Sequence, residues 1–189
     1  MKQARTLTQQ ELKTLLACIA AGPHALRNRT MVLLTHWAGL RVGEVAALRT
    51  KDVVDSDGRV LTEVRLLPEQ TKNRHARTVF VNQKLRKELQ TYINAIRGRN
   101  IEKPLFYTQK RSGFSSNTAT QLFISLYRKA GLVGATSHSG RRTFITSLAA
   151  KGVSVRLLAS LAGHRSITTT QAYIDVNDEM KRHAVELVV

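Results

Sequence analysis

Six side chains able to grip a phosphate or move a proton are spread along the chain: Arg41, Lys72, His138, Arg141, His164 and Tyr173. The densest stretch is Ser137 to Tyr173, which reads S-H-S-G-R-R-T-F-I-T, then an apolar run, then L-A-G-H-R-S-I-T-T-T-Q-A-Y. It holds the imidazoles of His138 and His164, an arginine one helical turn beyond the first, and a tyrosine nine residues past the second. Guanidinium groups and imidazoles suit a phosphate that becomes more negative in a transition state. A phenol hydroxyl is a candidate covalent nucleophile. Together these types suit the cutting and rejoining of a phosphodiester through a tyrosine.

Each residue also has a plain reading. Arg41 lies between a helix end and a helix start, where Glu44, three residues on, can orient it; a surface ion pair explains the same pattern. Lys72 stands in a basic loop with Arg74, His75 and Arg77, any of which fits a solvated tip. His138 and Arg141 share a helix start, whose positive potential favours an anion, yet a capping histidine would look alike. His164 follows Gly163 as a loop histidine would. Nothing local sets Tyr173 apart from Tyr92, Tyr107 and Tyr127.

The elements that must position them follow from periodicity. Thr8 and Glu11 form a capping box ahead of a helix with Leu12, Leu15, Leu16 and Ile19 on one face, stopped by Gly22-Pro23. Leu26 to Ala38 is a second helix ended by Gly39, and Leu40 to Leu48 a short third by its Val42, Val45, Ala46 and Leu48 spacing. From Val53 to Val81 the period changes: Ser56-Asp57-Gly58 marks a turn, and Val60 to Leu66 and Thr78 to Val81 read as strands flanking the basic loop. Helices then recur around Leu85 to Ile96, Asn117 to Ala130, Arg141 to Lys151 and Ser154 to Ala162, followed by a short one carrying Tyr173 and a last one over Asp178 to Leu187. Leu105-Phe106 reads as buried, and the single cysteine, Cys18, as core packing. No linker divides the chain, so residues 1–189 are expected to form one α+β, mostly helical domain.

Composition narrows the partner. The 189 residues carry 30 Lys and Arg against 13 Asp and Glu, a formal charge of +17, which points to a polyanion. The cations are scattered rather than gathered on one helix face, which argues against a membrane surface. No apolar run is long enough to span a bilayer, no Cys/His cluster has metal spacing, and the N-terminus lacks the apolar core of a signal peptide.

The boxes in order resemble the tyrosine recombinase, or phage integrase, family in its catalytic domain. Gly39-Leu40-Arg41-Val42-Gly43-Glu44 resembles its first-arginine box, Gln70-Thr71-Lys72 its hairpin lysine, His138-Ser139-Gly140-Arg141 its His-x-x-Arg box, and Leu161-Ala162-Gly163-His164 through Tyr173 its final block. Two departures stand out: Ser139-Gly140 replaces a common acidic-leucine pair, and Arg142 stands where many members have a second histidine. The resemblance implies a helical fold with a small three-stranded antiparallel sheet and no cofactor or metal. It also implies double-stranded DNA as partner and a homo-oligomer, a tetramer, on that DNA. An accessory DNA-bending protein is a further partner it allows, and the N-terminal DNA-clamp domain of longer members is expected to be absent. The implied location is the cytoplasm of a bacterium, at the nucleoid, with the gene bacterial or phage-borne. Tyr173 would attack the scissile phosphate, Arg41 and Arg141 clamp it, and Lys72 protonate the leaving oxygen. His138 would assist proton transfer at the tyrosine, His164 hydrogen-bond the phosphate, and Glu44 orient Arg41. The last helix would pack on a neighbouring protomer.

Two rivals stand beside this reading: a type IB topoisomerase, and a non-catalytic regulator. The regulator would use Leu158 to Gly163 and Ser166 to Ile174 as a helix-turn-helix, which leaves Arg41, Lys72 and His138 unexplained. The charge alone yields a prediction. The logarithm of DNA affinity should fall linearly with the logarithm of salt over about 50 to 200 mM, measured by fluorescence anisotropy; a flat response contradicts it.

Overall fold

A computed structural model describes residues 4–71, 74–174, and 181, 182, 185, 186 and 188. The helix α1 (Gln9–Ala20) starts as the sequence indicates. The Thr8 hydroxyl accepts from the Glu11 amide at 3.1 Å, and the Glu11 carboxylate accepts from the Thr8 amide at 2.9 Å. The helix α2 (Ala25–Trp37) is the spine. Met31, Val32, Leu33, Leu34, Thr35 and His36 are all buried, and it packs against α1, α3 (Val42–Ala47), α5 (Gln83–Ala95) and α7 (Ser139–Ala149). A helix enclosed on all sides cannot show a one-sided apolar stripe. Its buried threonines bond to the helix's own backbone: Thr30 and Thr35 donate at 2.8 Å to the carbonyls of Leu26 and Val32.

The remaining described elements are α4 (Thr50–Val53), β1 (Glu63–Leu66), β2 (Arg77–Phe80), α6 (Ser116–Lys129), α8 (Val155–Ala162) and α9 (Ile167–Gln171), with one turn of 3-10 helix at Pro68–Gln70. The strands β1 and β2 pair antiparallel, Glu63 opposite Phe80 and Leu66 opposite Arg77. Val64, Leu66 and Val79 turn inward to the core. Among the described residues the sheet therefore has two strands, not the three expected. The reason lies at the turn. Asp55 Oδ1 accepts from the amides of Asp57 and Arg59, and the Val60 amide donates to the Gln90 side chain, so only an isolated Val54–Val60 bridge forms there. Cys18 is half-buried rather than in the core. Leu105 and Phe106 are fully buried, as expected, with Tyr92 stacked on Phe106. Most of the expected last helix, including Asp178 and Leu187, lies outside the described residues. No described helix is long and apolar enough to cross a membrane.

The crossing of α7 over α2 gives a steric reason for Gly140. A Cβ there would stand 2.2 Å from Thr35 Oγ1 and 2.9 Å from His36 Cδ2. Ser139 beside it is fully buried and accepts the Thr136 amide at 2.9 Å. The departures inside the His-x-x-Arg box thus serve close packing of the helix that carries Arg141.

Beneath that crossing, neither ring nitrogen of His36 has a hydrogen-bond partner, and burial pushes its pKa down to about 4 from 6.5. Between those values the unfolded chain binds a proton that the folded chain refuses. The stability held by the neutral ring is therefore complete above about pH 6.5 and lost as pH falls toward 4, an effect of about 3 kcal/mol. His36→Leu should flatten this dependence, read as a smaller difference in urea midpoint between about pH 7.5 and 4.5. Equal losses in both proteins would clear His36 of the effect.

Candidate active site

The site is assembled at helix ends. α2 closes at Gly39, whose φ of 66° is left-handed, and the Leu40 amide turns back to the Leu34 carbonyl at 3.3 Å. Arg41 is then the N-cap of α3. Glu44, in the first turn, accepts the Arg41 amide at 2.8 Å and its Nη1 at 2.9 Å, so one carboxylate caps the helix and aims the guanidinium. Arg141, on the first turn of α7, is buried and donates from Nη1 to the Gly39 carbonyl at 2.6 Å and from Nη2 to the Ala162 carbonyl. Both acceptors lie at helix C-terminal ends, where carbonyls carry partial negative charge. Among the described residues two of its five donors are used in this way. Burial first, then the charge of Arg41, lowers the Arg141 pKa to about 9, so the cation persists at neutral pH without a carboxylate of its own.

The histidine and tyrosine come from the next corner. Gly163, with φ 63°, ends α8, and the His164 amide bonds back to the Ala159 carbonyl at 2.9 Å. His164 Nδ1 meets the hydroxyl of fully buried Thr170 at 2.9 Å, which fixes the ring. Burial, then Arg141, Arg41 and Arg77, push its pKa down to about 4, so the imidazole is neutral. Tyr173 follows α9, with its amide on the Thr170 carbonyl at 2.9 Å and its ring stacked on His164, centroids 5.7 Å apart and planes at 21°. The Arg142 guanidinium lies 5.6 Å from the centre of the Tyr173 ring.

Of the sequence candidates, Arg41, Arg141, His164 and Tyr173 thus come together: Arg41 and Arg141 act electrostatically on each other and on His164, whose ring stacks on Tyr173. His138 is exposed and lines a cleft of about 540 Å³ together with Arg41, Glu44 and Gln70. Its side chain makes no cap bond to α7, so capping does not explain it. Lys72 lies outside the described residues; the loop that bears it is tied on one side by Gln70, whose Nε2 donates to the Ala47 carbonyl at 3.1 Å and to Asp52 Oδ2 at 2.6 Å.

Three participants went unassigned by sequence: Arg77, Thr170 and Arg142. Arg77 donates from Nη2 and Nε to the two Glu44 oxygens at 2.7 and 3.3 Å, and from Nη1 to the Leu161 carbonyl at 2.9 Å. A signal for it existed: it shares strand parity with inward-facing Val79, and a cation on a buried face needs a partner.

The sequence pattern of the phage integrase family matches residues 5–180, and the chain belongs to that family. Tyrosine recombinase XerA of Pyrococcus furiosus is 30% identical over 186 residues, covering 96% of this chain and 61% of that protein. XerA of Thermococcus kodakarensis is 36% identical over 184 residues, covering 96% and 62%. XerD of Neisseria meningitidis serogroup B is 30% identical over 176 residues, covering 90% and 58%. The chain spans about three-fifths of the length of these curated relatives. A crystal structure of XerA recombinase superposes with a TM-score of 0.77 at 26% identity, over 98% of this chain and 66% of the other. XerH recombinase on its difH substrate, at 21% identity and a TM-score of 0.71 over 95% of this chain and 51% of the other, shares the fold.

The Gly39 corner can be tested by a matched pair. Gly39 and Gly98 both have positive φ, 66° and 87°, but a Cβ at Gly39 would stand 2.5 Å from the Phe144 ring, whereas one at Gly98 meets nothing within 4 Å. Gly39→Ala should lose at least about 1 kcal/mol more than Gly98→Ala in urea unfolding. Equal losses would leave backbone conformation alone as the cause.

Proposed function

We propose that residues 1–189 act as the single catalytic domain of a tyrosine-type site-specific recombinase on double-stranded DNA. The observation that carries this reading is the contact of Tyr173 with His164 beside Arg41, Arg77 and Arg141, cations that outnumber the one buried carboxylate among them. Among the described residues the arginines of this pocket outnumber its one carboxylate, Glu44, and a phosphodiester would supply the balancing charge.

In this mechanism the Tyr173 hydroxyl attacks phosphorus, the bond to the 5′-oxygen breaks, and a 3′-phosphotyrosine forms. His138 helps take the phenolic proton, and Lys72 gives a proton to the leaving 5′-oxygen. Arg41 and Arg141 meet the charge on the non-bridging oxygens, and His164 hydrogen-bonds one of them; this role calls for the tautomer with its proton on Nε2, in which Nδ1 would accept from the Thr170 hydroxyl. The phosphoester energy stays in the tyrosyl bond, so a 5′-hydroxyl from another strand reverses the step without ATP. Integration, excision and inversion are all exchanges of this kind. They require at least two duplexes held together, which a homo-oligomer, a tetramer, provides, with an accessory DNA-bending protein where the site demands one. The work would be done in the cytoplasm, at the nucleoid of a bacterium.

The regulator reading is disfavoured by α9, which is five residues long, too short to lie along a major groove as a recognition helix. Tyr173→Phe should bind duplex DNA as wild type does and form no covalent adduct on a nicked substrate, resolved by denaturing gel. Adduct in that variant would overturn the assignment. Exchange of labelled strands between two duplexes by the wild-type protein separates a recombinase from a topoisomerase, which relaxes supercoils without joining new partners.

A further inference from the structure

Arg77 has the most engaged guanidinium among the described residues near Tyr173. Its side chain is 10% exposed, against 25% for Arg41, and its stem lies so close to Gly163 that a Cβ there would stand 2.5 Å from Arg77 Cδ. Nε, Nη1 and Nη2 all donate to protein acceptors: both oxygens of Glu44 and the Leu161 carbonyl. A group so occupied is not available to protonate a leaving oxygen. It connects three elements instead. From the start of β2 it reaches the first turn of α3, where Glu44 aims Arg41, and the end of α8, whose following turn carries His164.

We infer that Arg77 is a positioning residue: it holds Glu44 and the Leu161–His164 turn so that Arg41 and His164 address one phosphate together. The inference rests on the proposed recombinase reading for its catalytic consequence, but its geometric content stands apart from it. Glu44 has two oxygens and serves two arginines and one backbone amide. Without Arg77 its carboxylate is free to rotate toward Arg41 alone, and the α8 end loses its side-chain tether. A small displacement of groups that contact a reacting phosphate lowers rate far more than affinity.

The test uses the whole chain with Arg77→Met, which keeps the stem against Gly163, and Arg77→Lys, which keeps the charge. Both should bind duplex DNA within about threefold of wild type, while single-turnover adduct formation at saturating DNA falls about 10²-fold. Lysine should not rescue, because one ammonium cannot span the Glu44 oxygens and the Leu161 carbonyl as a planar fork does. A folded Arg77→Met with wild-type rate overturns the inference, as does a variant whose only change is a lower melting temperature. Should Arg77→Met not fold, Arg77→Lys carries the same measurement. A second readout needs no catalysis: the His164 ring resonances in nitrogen-15 spectra should move in either variant while those of His24 stay fixed. If the wild-type chain forms no adduct at all, the recombinase reading fails, and unmoved His164 resonances would overturn the positioning role on their own.

Discussion

The pairing of Glu44 with Arg41 and Arg77 is the interaction on which the site depends. Taking a carboxylate to 1% exposure is costly, and burial by itself would push its pKa up. The hydrogen bonds and charge of Arg77, then those of Arg41, outweigh that and hold the group below the usual carboxylate range, hence ionised. A buried pair of this kind adds little net stability, but removing one partner strands a charge. What it gives is orientation: Glu44 caps the start of α3 and holds the Arg41 guanidinium through the same carboxylate.

Arg141 follows a different rule. Among the described residues it pairs with no carboxylate and is held by two backbone carbonyls. Among the described residues Arg41, Arg77 and Arg141 outnumber Glu44; burial first, and then this surplus of positive charge, lowers the pKa values of Arg141 and His164.

Much of this was legible in the sequence, for identifiable reasons. The helices starting at Thr8 and Ser154 carry their own caps, and those ending at Gly39 and Gly163 carry glycines at left-handed positions, so their bounds were readable locally. The boxes that hold Arg41, His138, Arg141, His164 and Tyr173 were recognisable because the spacing within each is local. Arg77 was obscured because its partners lie 33 and 84 residues away, and a basic loop beside it gave a sufficient solvent-facing explanation. Thr170 was hidden by its neighbours: among Thr168, Thr169 and Thr170, only the fold decides which hydroxyl is buried against His164. The expected third strand failed because an aspartate turn and a glutamine side chain took the backbone donors that a ladder would have used.

Arg141 reaches the end of α2 with one nitrogen and the end of α8 with another while standing on α7, so its pocket exists only when three separate helices are docked. Local opening of any one of them dissolves the pocket, and such openings are far more frequent than global unfolding. A nascent or fraying chain can therefore present the tyrosine and the basic surface without the arrangement that would use them. Assembly of the pocket is thus tied to completion of the fold, because no single element holds the Arg141 guanidinium in place alone.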